Sequence, residues 1–252
     1  MILQYASDLH LEFPENYEYL KRNPISPEGE VLILAGDIVT FSQLEKRMDF
    51  FNYLSDNFQQ VYWLPGNHEY YYSDISRCQG RVKENIKGNV WLVNNIKIPL
   101  GDADLIFSTM WSRISPGHER QIGDSVSDFH VIRHHGSVFR PSDFTILHKE
   151  SMDFIEAELS LCNGQNKVVV THHVPTLLNY PERFVGSILN EAFAVELCGM
   201  IEIYQPAYWI YGHHHQNTPA FQIGSTTLLT NQLGYVRINE HAGYSPAKVF
   251  RI

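Results

Sequence analysis

Residues 31–37 read Val31-Leu32-Ile33-Leu34-Ala35-Gly36-Asp37. An apolar run that stops abruptly at Gly-Asp has the pattern of a buried strand ending in a polar turn. Four other stretches repeat it. Met1 to Ala6 leads into Asp8-Leu9-His10, and Val61 to Leu64 into Gly66-Asn67-His68-Glu69. Val168 to Val170 leads into His172-His173, and Tyr208 to Tyr211 into Gly212-His213-His214-His215. In an open α/β sheet, functional groups gather beyond the carboxyl ends of the strands. Five strands that deliver Asp, Asn and His to one edge make a ligand set for hard or borderline metal ions.

Outward from these strands, helical and extended patterns alternate. Ser42 to Phe58 carries an apolar stripe at Leu44, Met48, Phe51, Leu54 and Phe58, with Ser42 and Glu45 spaced as a capping box. Ser76 to Ile86 reads as a weaker helix interrupted by Gly80. Val90 to Ile98 and Leu105 to Met110 read as strands, with Pro99, Gly101 and Asp102 turning between them. Ser112 to Pro141 is polar and irregular, and a loop of that length in a compact domain is more often functional than idle. Pro141-Ser142 opens a helix with Leu147, Met152, Ile155 and Leu159 on its apolar face, and a further helix spans Ile188 to Tyr204. Pro219 to Ile223, Thr226 to Leu229 and Ala247 to Ile252 close the chain as short strands. The elements suggest an α/β protein with two sheets sandwiched between helices, in one domain covering residues 1–252.

Bulk composition limits the function classes. The 252 residues are 44% hydrophobic, 19% charged and 13% aromatic, as expected of a packed globular protein. A net charge of −9 disfavours general affinity for a nucleic-acid polymer, which needs basic surface, but leaves a small nucleotide open because bound cations reverse the sign locally. Cys78, Cys162 and Cys198 are widely separated and form no CxxC or zinc-ribbon spacing, as for reduced thiols in a cytoplasm. The first strand starts at Met1 and its polar block is complete by His10, which leaves no room for a signal peptide before it. No apolar run approaches the ~20 residues that span a bilayer. A cytoplasmic protein without membrane association is expected.

Asp8, His10, Asp37, Asn67, His172, His213 and His215 are seven candidate ligands, more than one metal would use. Two metals sharing a carboxylate and a water would use them. Such a pair generates a hydroxide and clamps phosphoryl oxygens during in-line displacement. Nitrogen and oxygen ligands without thiolate point to Mn, Fe or Zn, and leave the choice among them open.

The series resembles the calcineurin-like metallophosphoesterases, whose blocks run D-x-H, G-D, G-N-H-[DE], H and G-H-x-H. The resemblance covers nearly the whole chain, with every metal-bearing position filled. It implies a four-layer αββα sandwich, two mixed β-sheets flanked by helices, with a dinuclear centre at the sheet edge. It implies that Asp8, His10 and His215 hold one metal, that Asn67, His172 and His213 hold the other, and that Asp37 bridges them. His68 would be the catalytic residue rather than a ligand, set over the leaving group as general acid. Since Asn67 points at the metal, its neighbour His68 should project elsewhere, and a histidine near neutrality can protonate a departing alkoxide. The second block continues Ile38-Val39-Thr40 without the Asp-Arg-Gly of the protein serine/threonine phosphatases, which argues against a phosphoprotein substrate.

His214 should face away from the metals by alternation, and His173 should hydrogen-bond behind the ligands. Trp111, Arg113, His118, Arg133, His134 and His135 are the candidates for gripping substrate from the 112–141 loop, though none is assigned that role, and one ring of Tyr70-Tyr71-Tyr72 could stack on a base. The expected activity is hydrolysis of the P–O bond of a small phosphodiester or nucleotide by a metal-bridging hydroxide, with two divalent or trivalent ions as cofactors. The alternatives are a nuclease or phosphomonoesterase on the same site, or a non-catalytic scaffold.

Overall fold

The computed structural model describes residues 1–161 and 166–252; Cys162 lies outside the described residues. All five apolar runs are strands. β1 (Ile2–Ala6), β2 (Val31–Ala35) and β3 (Gln60–Leu64) lie side by side and parallel, followed by β4 (Val82–Lys87) and β5 (Val90–Asn94). After β6 (Ile96–Leu100) and β7 (Ala103–Ser108) come a small hairpin, β8 (Arg133–His134) with β9 (Ser137–Val138), and then β10 (Asn166–Thr171) and β11 (Tyr208–Ile210). β12 (Phe221–Ile223), β13 (Thr226–Leu229) and β14 (Val249–Arg251) complete the set. One sheet has the order β14-β1-β2-β3-β5-β4 and the other β12-β13-β11-β10-β7-β6. Both are mixed, with parallel centres and antiparallel edges.

The helices are α1 (Pro14–Arg22), α2 (Met48–Asn57), α3 (Glu119–Ser125), α4 (Asp128–Val131), α5 (Pro141–Ser160) and α6 (Cys198–Tyr204). Strand alternation explains the four layers. Val31, Ile33 and Ala35 face Leu105, Phe107, Val168 and Val170 of the other sheet, while Leu32 and Leu34 face Phe51 and Leu54 of α2. On the far side Ile106, Val169 and Trp209 pack on Ile155 and Leu159 of α5 and Ile201 of α6. Because both faces of each sheet are covered, the central strands read as unbroken apolar runs. Each fully buried aliphatic side chain contributes about 1.5–3 kcal/mol.

Four local expectations need correction. The stretch Ser76 to Ile86 holds only a short 3₁₀ turn, Ile75–Arg77, and the edge strand β4. Val82 and Ile86 are four residues apart, a spacing common to helical and strand periodicity, and Gly80 at φ +69° separates turn from strand. Val90 to Ile98 is two strands in different sheets, because Asn95 in the left-handed region (φ 45°) turns the chain from one sheet to the other. Ile188 to Tyr204 is a 3₁₀ turn, Ile188–Ala192, then a bridge between Ala194 and Val174, then α6. The Glu196 carboxylate accepts from Cys198 N (3.0 Å) and Thr176 Oγ1 (2.9 Å) and fixes that break. Finally, Phe41–Arg47 is 3₁₀ before α2 begins, and Thr40, not Ser42, precedes it without a side-chain cap. There the Phe41 ring is held between Trp63 and Tyr70.

Candidate metal centre

The carboxyl ends of β1, β2 and β3 in one sheet and of β10 and β11 in the other converge on one edge. The turns there are tight. Asp8 (φ 56°), His10 (49°), Asp37 (57°), His213 (82°) and His215 (53°) all sit in the left-handed region, at a cost of about 1–3 kcal/mol each. The buried strands behind them offset that cost. Glycine is required beside them for close approach. A Cβ on Gly36 would lie 2.2 Å from His172 Nδ1, and one on Gly66 would lie 2.2 Å from Asp37 Oδ1 and 2.6 Å from His172 Nε2. Gly66→Ala is therefore expected to fold but to displace Asp37 and His172, cutting metal content and activity by at least about tenfold (a barrier change of ~1.4 kcal/mol suffices); wild-type metal content in the purified variant would contradict this.

The seven residues form two clusters. Asp8, His10, Asp37 and His215 present ligand atoms within 4.8 Å of one another, as do Asp37, His172 and His213. His10 Nε2 lies 2.9 Å from His215 Nε2, and His172 Nε2 lies 3.1 Å from His213 Nδ1. Asp37 stands between the clusters, its Oδ2 3.8 Å from His10 Nε2 and 3.3 Å from His172 Nε2. Asn67 Oδ1 is 3.2 Å from His172 Nε2, and Asp8 Oδ1 is 3.5 Å from His215 Nε2.

The outer nitrogen of each imidazole is already engaged. His10 Nδ1 bonds Glu12 Oε1 (3.0 Å), His215 Nδ1 bonds Glu240 Oε2 (2.8 Å), and His172 Nδ1 bonds Ala35 O (3.0 Å). His213 Nε2 faces Ala192 O at 3.4 Å. With the N–H on that side, the inner nitrogens present lone pairs to one another at about 3 Å, a repulsive arrangement unless a cation lies between. The residues present thus fit a dinuclear metal site, and the bonds to Glu12 and Glu240 are of the kind that orient histidine ligands.

The local field has the same sign. Burial alone would raise the Asp37 carboxyl, yet His172, His68 and His10 hold it well below the ordinary carboxylate range. Burial opposes charge on His172, but Asp37 drives it up to about 10. Its neighbour His213 is pushed well below the usual range by burial and by His173 and His172.

A family model described as calcineurin-like phosphoesterase matches residues 5–217. The chain belongs to that family. This calcineurin-like phosphoesterase is 32% identical to uncharacterized protein L509 of Acanthamoeba polyphaga mimivirus, over 93% of this chain and 91% of that one. Its fold is similar to that of the phosphopantetheinyl hydrolase PptH from Mycobacterium tuberculosis, with a TM-score of 0.73 and 16% identity across 98% of this chain and 95% of that one. A dimetal phosphatase from Danio rerio aligns with 98% of this chain and 89% of its own, at 12% identity and a TM-score of 0.49. The four-layer sandwich is the fold of this family, and membership supports a phosphoester hydrolase. Among the described residues no helix is long and apolar enough to cross a membrane.

Beside the candidate ligands of this phosphoesterase stand carboxylates with no role assigned from the sequence. Glu69, fully buried, accepts from Asp37 N (3.0 Å), Ile38 N (2.7 Å), Gly66 N (2.6 Å) and Trp63 Nε1 (3.0 Å), tying the β2 and β3 turns together. Burial and the Asp37 charge push it up to about 8. Asp128 accepts from Asn67 Nδ2 (2.8 Å) and Tyr71 Oη (2.8 Å), which fixes the amide so that Asn67 Oδ1 faces the cluster. Glu12 Oε1 also accepts from His68 Nδ1 at 2.9 Å. Glu69, in the third block, and Glu12, two residues beyond His10, had a local signal; Asp128 and Glu240 reach the site through the fold alone.

His68 is buried, stacked on Tyr71 (4.0 Å between centroids), with Nε2 3.5 Å from Tyr235 Oη. Burial would lower its pKa, but Asp37 and Glu12 raise it to about 9, above the neutral value expected. His214 Nδ1 accepts from Gln232 Nε2 (3.0 Å), away from the ligand nitrogens. His173 lies behind His213, 4.3 Å between centroids, with Nδ1 donating to Thr109 O (3.2 Å).

A cavity of about 360 Å³ opens over Asp37, Asn67, His68, His213 and His215. The 112–141 stretch contributes only Ser125 to Asp128 to its wall, and α3, α4 and the β8–β9 hairpin give that stretch more structure than an irregular loop. Trp111 is buried among Phe139 and Phe144, His118 pairs with Glu191 (2.9 Å), and His134 faces Asp143 (3.6 Å). Neither these nor Arg113, Arg133 or His135 line the cavity. The larger wall is Tyr180 to Phe193, read from sequence in part as helix.

Proposed function

We propose that the protein hydrolyses a small phosphodiester or nucleotide at a dinuclear metal centre. Asp8, His10 and His215 would hold one ion, Asn67, His172 and His213 the other, and Asp37 both. The observation that carries this reading is the pair of facing ring nitrogens, 2.9 and 3.1 Å apart, on either side of the Asp37 carboxylate. The donor set suits Mn, Fe or Zn. When bound, the two ions would activate water and neutralise phosphoryl charge.

The chain's own groups do the rest. Asp37 Oδ1 accepts from His68 N (2.9 Å), so the backbone of the acid itself is fixed to the carboxylate that would join the ions. Glu12 holds His68 protonated and leaves its Nε2 as the donor toward the cavity. That proton would go to the departing oxygen. Among the described residues, Arg183 is the one Lys or Arg on the cavity wall. No further Lys or Arg among the described residues lines the wall to meet the extra charge of a monoester dianion, which favours a diester. The acidic net charge supports a small substrate over a polymer, and the free Cys78 and Cys198 accord with a cytoplasmic site of action.

The reading is tested by assaying protein loaded with Mn²⁺, Fe²⁺ or Zn²⁺ against cyclic nucleotides, dinucleotides, model diesters and monoesters. Turnover of small diesters is expected, abolished by chelator and restored by metal. Failure on every phosphate ester would favour the scaffold alternative, and degradation of single-stranded DNA or RNA that weakens with salt would favour a nuclease.

A further inference from the structure

We propose that Arg183 reads a second phosphate of the substrate, so that the physiological ester carries another phosphate beyond the one cleaved; this deepens the phosphoesterase reading and rests on it. Arg183 lies in the 3₁₀ turn Glu182–Phe184, on the wall of the cavity that opens over the candidate ligands. Three carboxylates line the same cavity, Asp37, Asp128 and Glu240. Each is already engaged by His172, Asn67 or His215. Arg183, the sole Lys or Arg there among the described residues, is near enough for its charge to act on Glu240 and His214 but makes no ion pair or hydrogen bond with any of them.

What holds Arg183 is an aromatic ring. Its guanidinium carbon sits 4.6 Å from the centroid of Phe184, a contact that orients the planar group while leaving its N–H donors unused. Phe184 is itself anchored, since its carbonyl accepts from Asn190 Nδ2 at 2.7 Å. Ser187, on the same wall, uses its oxygen as acceptor for Leu189 N (3.3 Å) and keeps its hydroxyl proton free. A guanidinium fork and a hydroxyl donor together match three oxygens of a tetrahedral phosphate, whereas a carboxylate has only two. In a chain of net charge −9, an unpaired, ring-held arginine facing an acidic cavity is where an anionic ligand gains most.

Binding can be measured without turnover by using alkane-α,ω-bisphosphonates with spacers of three to six carbons, alongside alkylphosphonates of the same lengths, because P–C bonds are not hydrolysed. Calorimetry on the metal-loaded protein should find one spacer at which the bisphosphonate binds at least about tenfold more tightly than its monophosphonate, the scale of one charge-assisted contact. In R183Q that ratio should fall to about two or less, and R183K should retain part of it. A ratio near one at every spacer in the wild type, or the wild-type ratio persisting in R183Q, overturns the proposal. So does an equal weakening of both ligands, which would assign Arg183 to the cleaved phosphate. Turnover of a chromogenic diester by the same wild-type preparation reports separately on the phosphoesterase reading.

Discussion

Asp37→Asn is expected to give a folded protein that binds little metal and has lost about 10³-fold or more of its activity. The size follows from what the carboxylate does. Among the described residues, Asp37 is the one anionic group that belongs to both histidine clusters, with Oδ2 3.8 Å from His10 Nε2 and 3.3 Å from His172 Nε2. Lewis-acid and nucleophile activation together account for several kcal/mol of barrier, and each 1.4 kcal/mol is tenfold in rate. The fold should survive, because the asparagine oxygen can keep the 2.9 Å bond from His68 N. Its amide can donate to the lone pair of His172 or His10, satisfying without a cation the nitrogen that now calls for one. The variant therefore replaces a metal site by a hydrogen-bond network. Elemental analysis checks this: about two ions per chain in the wild type, one or fewer in the variant. Wild-type occupancy would overturn the bridging role.

What the sequence conveyed about this centre depended on how each residue reaches it. The ligands follow directly after buried strands, so their shared destination was legible once the strands were. The carboxylates around them were not, for a physical reason. Asp128 lies at the start of the short helix α4, 61 residues from Asn67, and only tertiary packing brings it within 2.8 Å. Glu240 likewise reaches His215 from a 3₁₀ turn near the end of the chain. The wall of the cavity was less legible on similar grounds. The 112–141 stretch is rich in His, Arg and Trp, but Trp111, Phe129, Phe139 and Phe144 bury one another in a separate aromatic cluster, and the wall is built mainly by Tyr180 to Phe193. Edge elements failed locally, since Val82 and Ile86 fit either period, and the sheet change at Asn95 needs a backbone conformation that no residue pattern announces.

His68→Ala should separate proton donation from metal binding. The side chain makes no hydrogen bond to a candidate ligand atom of the two clusters; it rests edge-on against His10, stacks on Tyr71, and is held by Glu12. Its removal leaves the bond from the residue 68 backbone N–H to Asp37, so both ions should remain. Activity should then depend on the leaving group. Esters that release an alkoxide, such as dinucleotides, need a proton at the departing oxygen and should lose about 10²–10⁴-fold. A p-nitrophenyl diester, whose leaving group is stable as an anion, should lose far less. Glu12→Gln should fall between. It keeps an acceptor for one imidazole but removes the charge that holds His68 protonated, so it should lower alkyl-ester turnover by about tenfold, the low end of what an acid contributes, with little change on the nitrophenyl ester. A purely structural role for His68 or Glu12 would depress both esters alike. Full alkyl-ester activity in His68→Ala would remove the histidine from the reaction and leave the leaving-group proton to come from water.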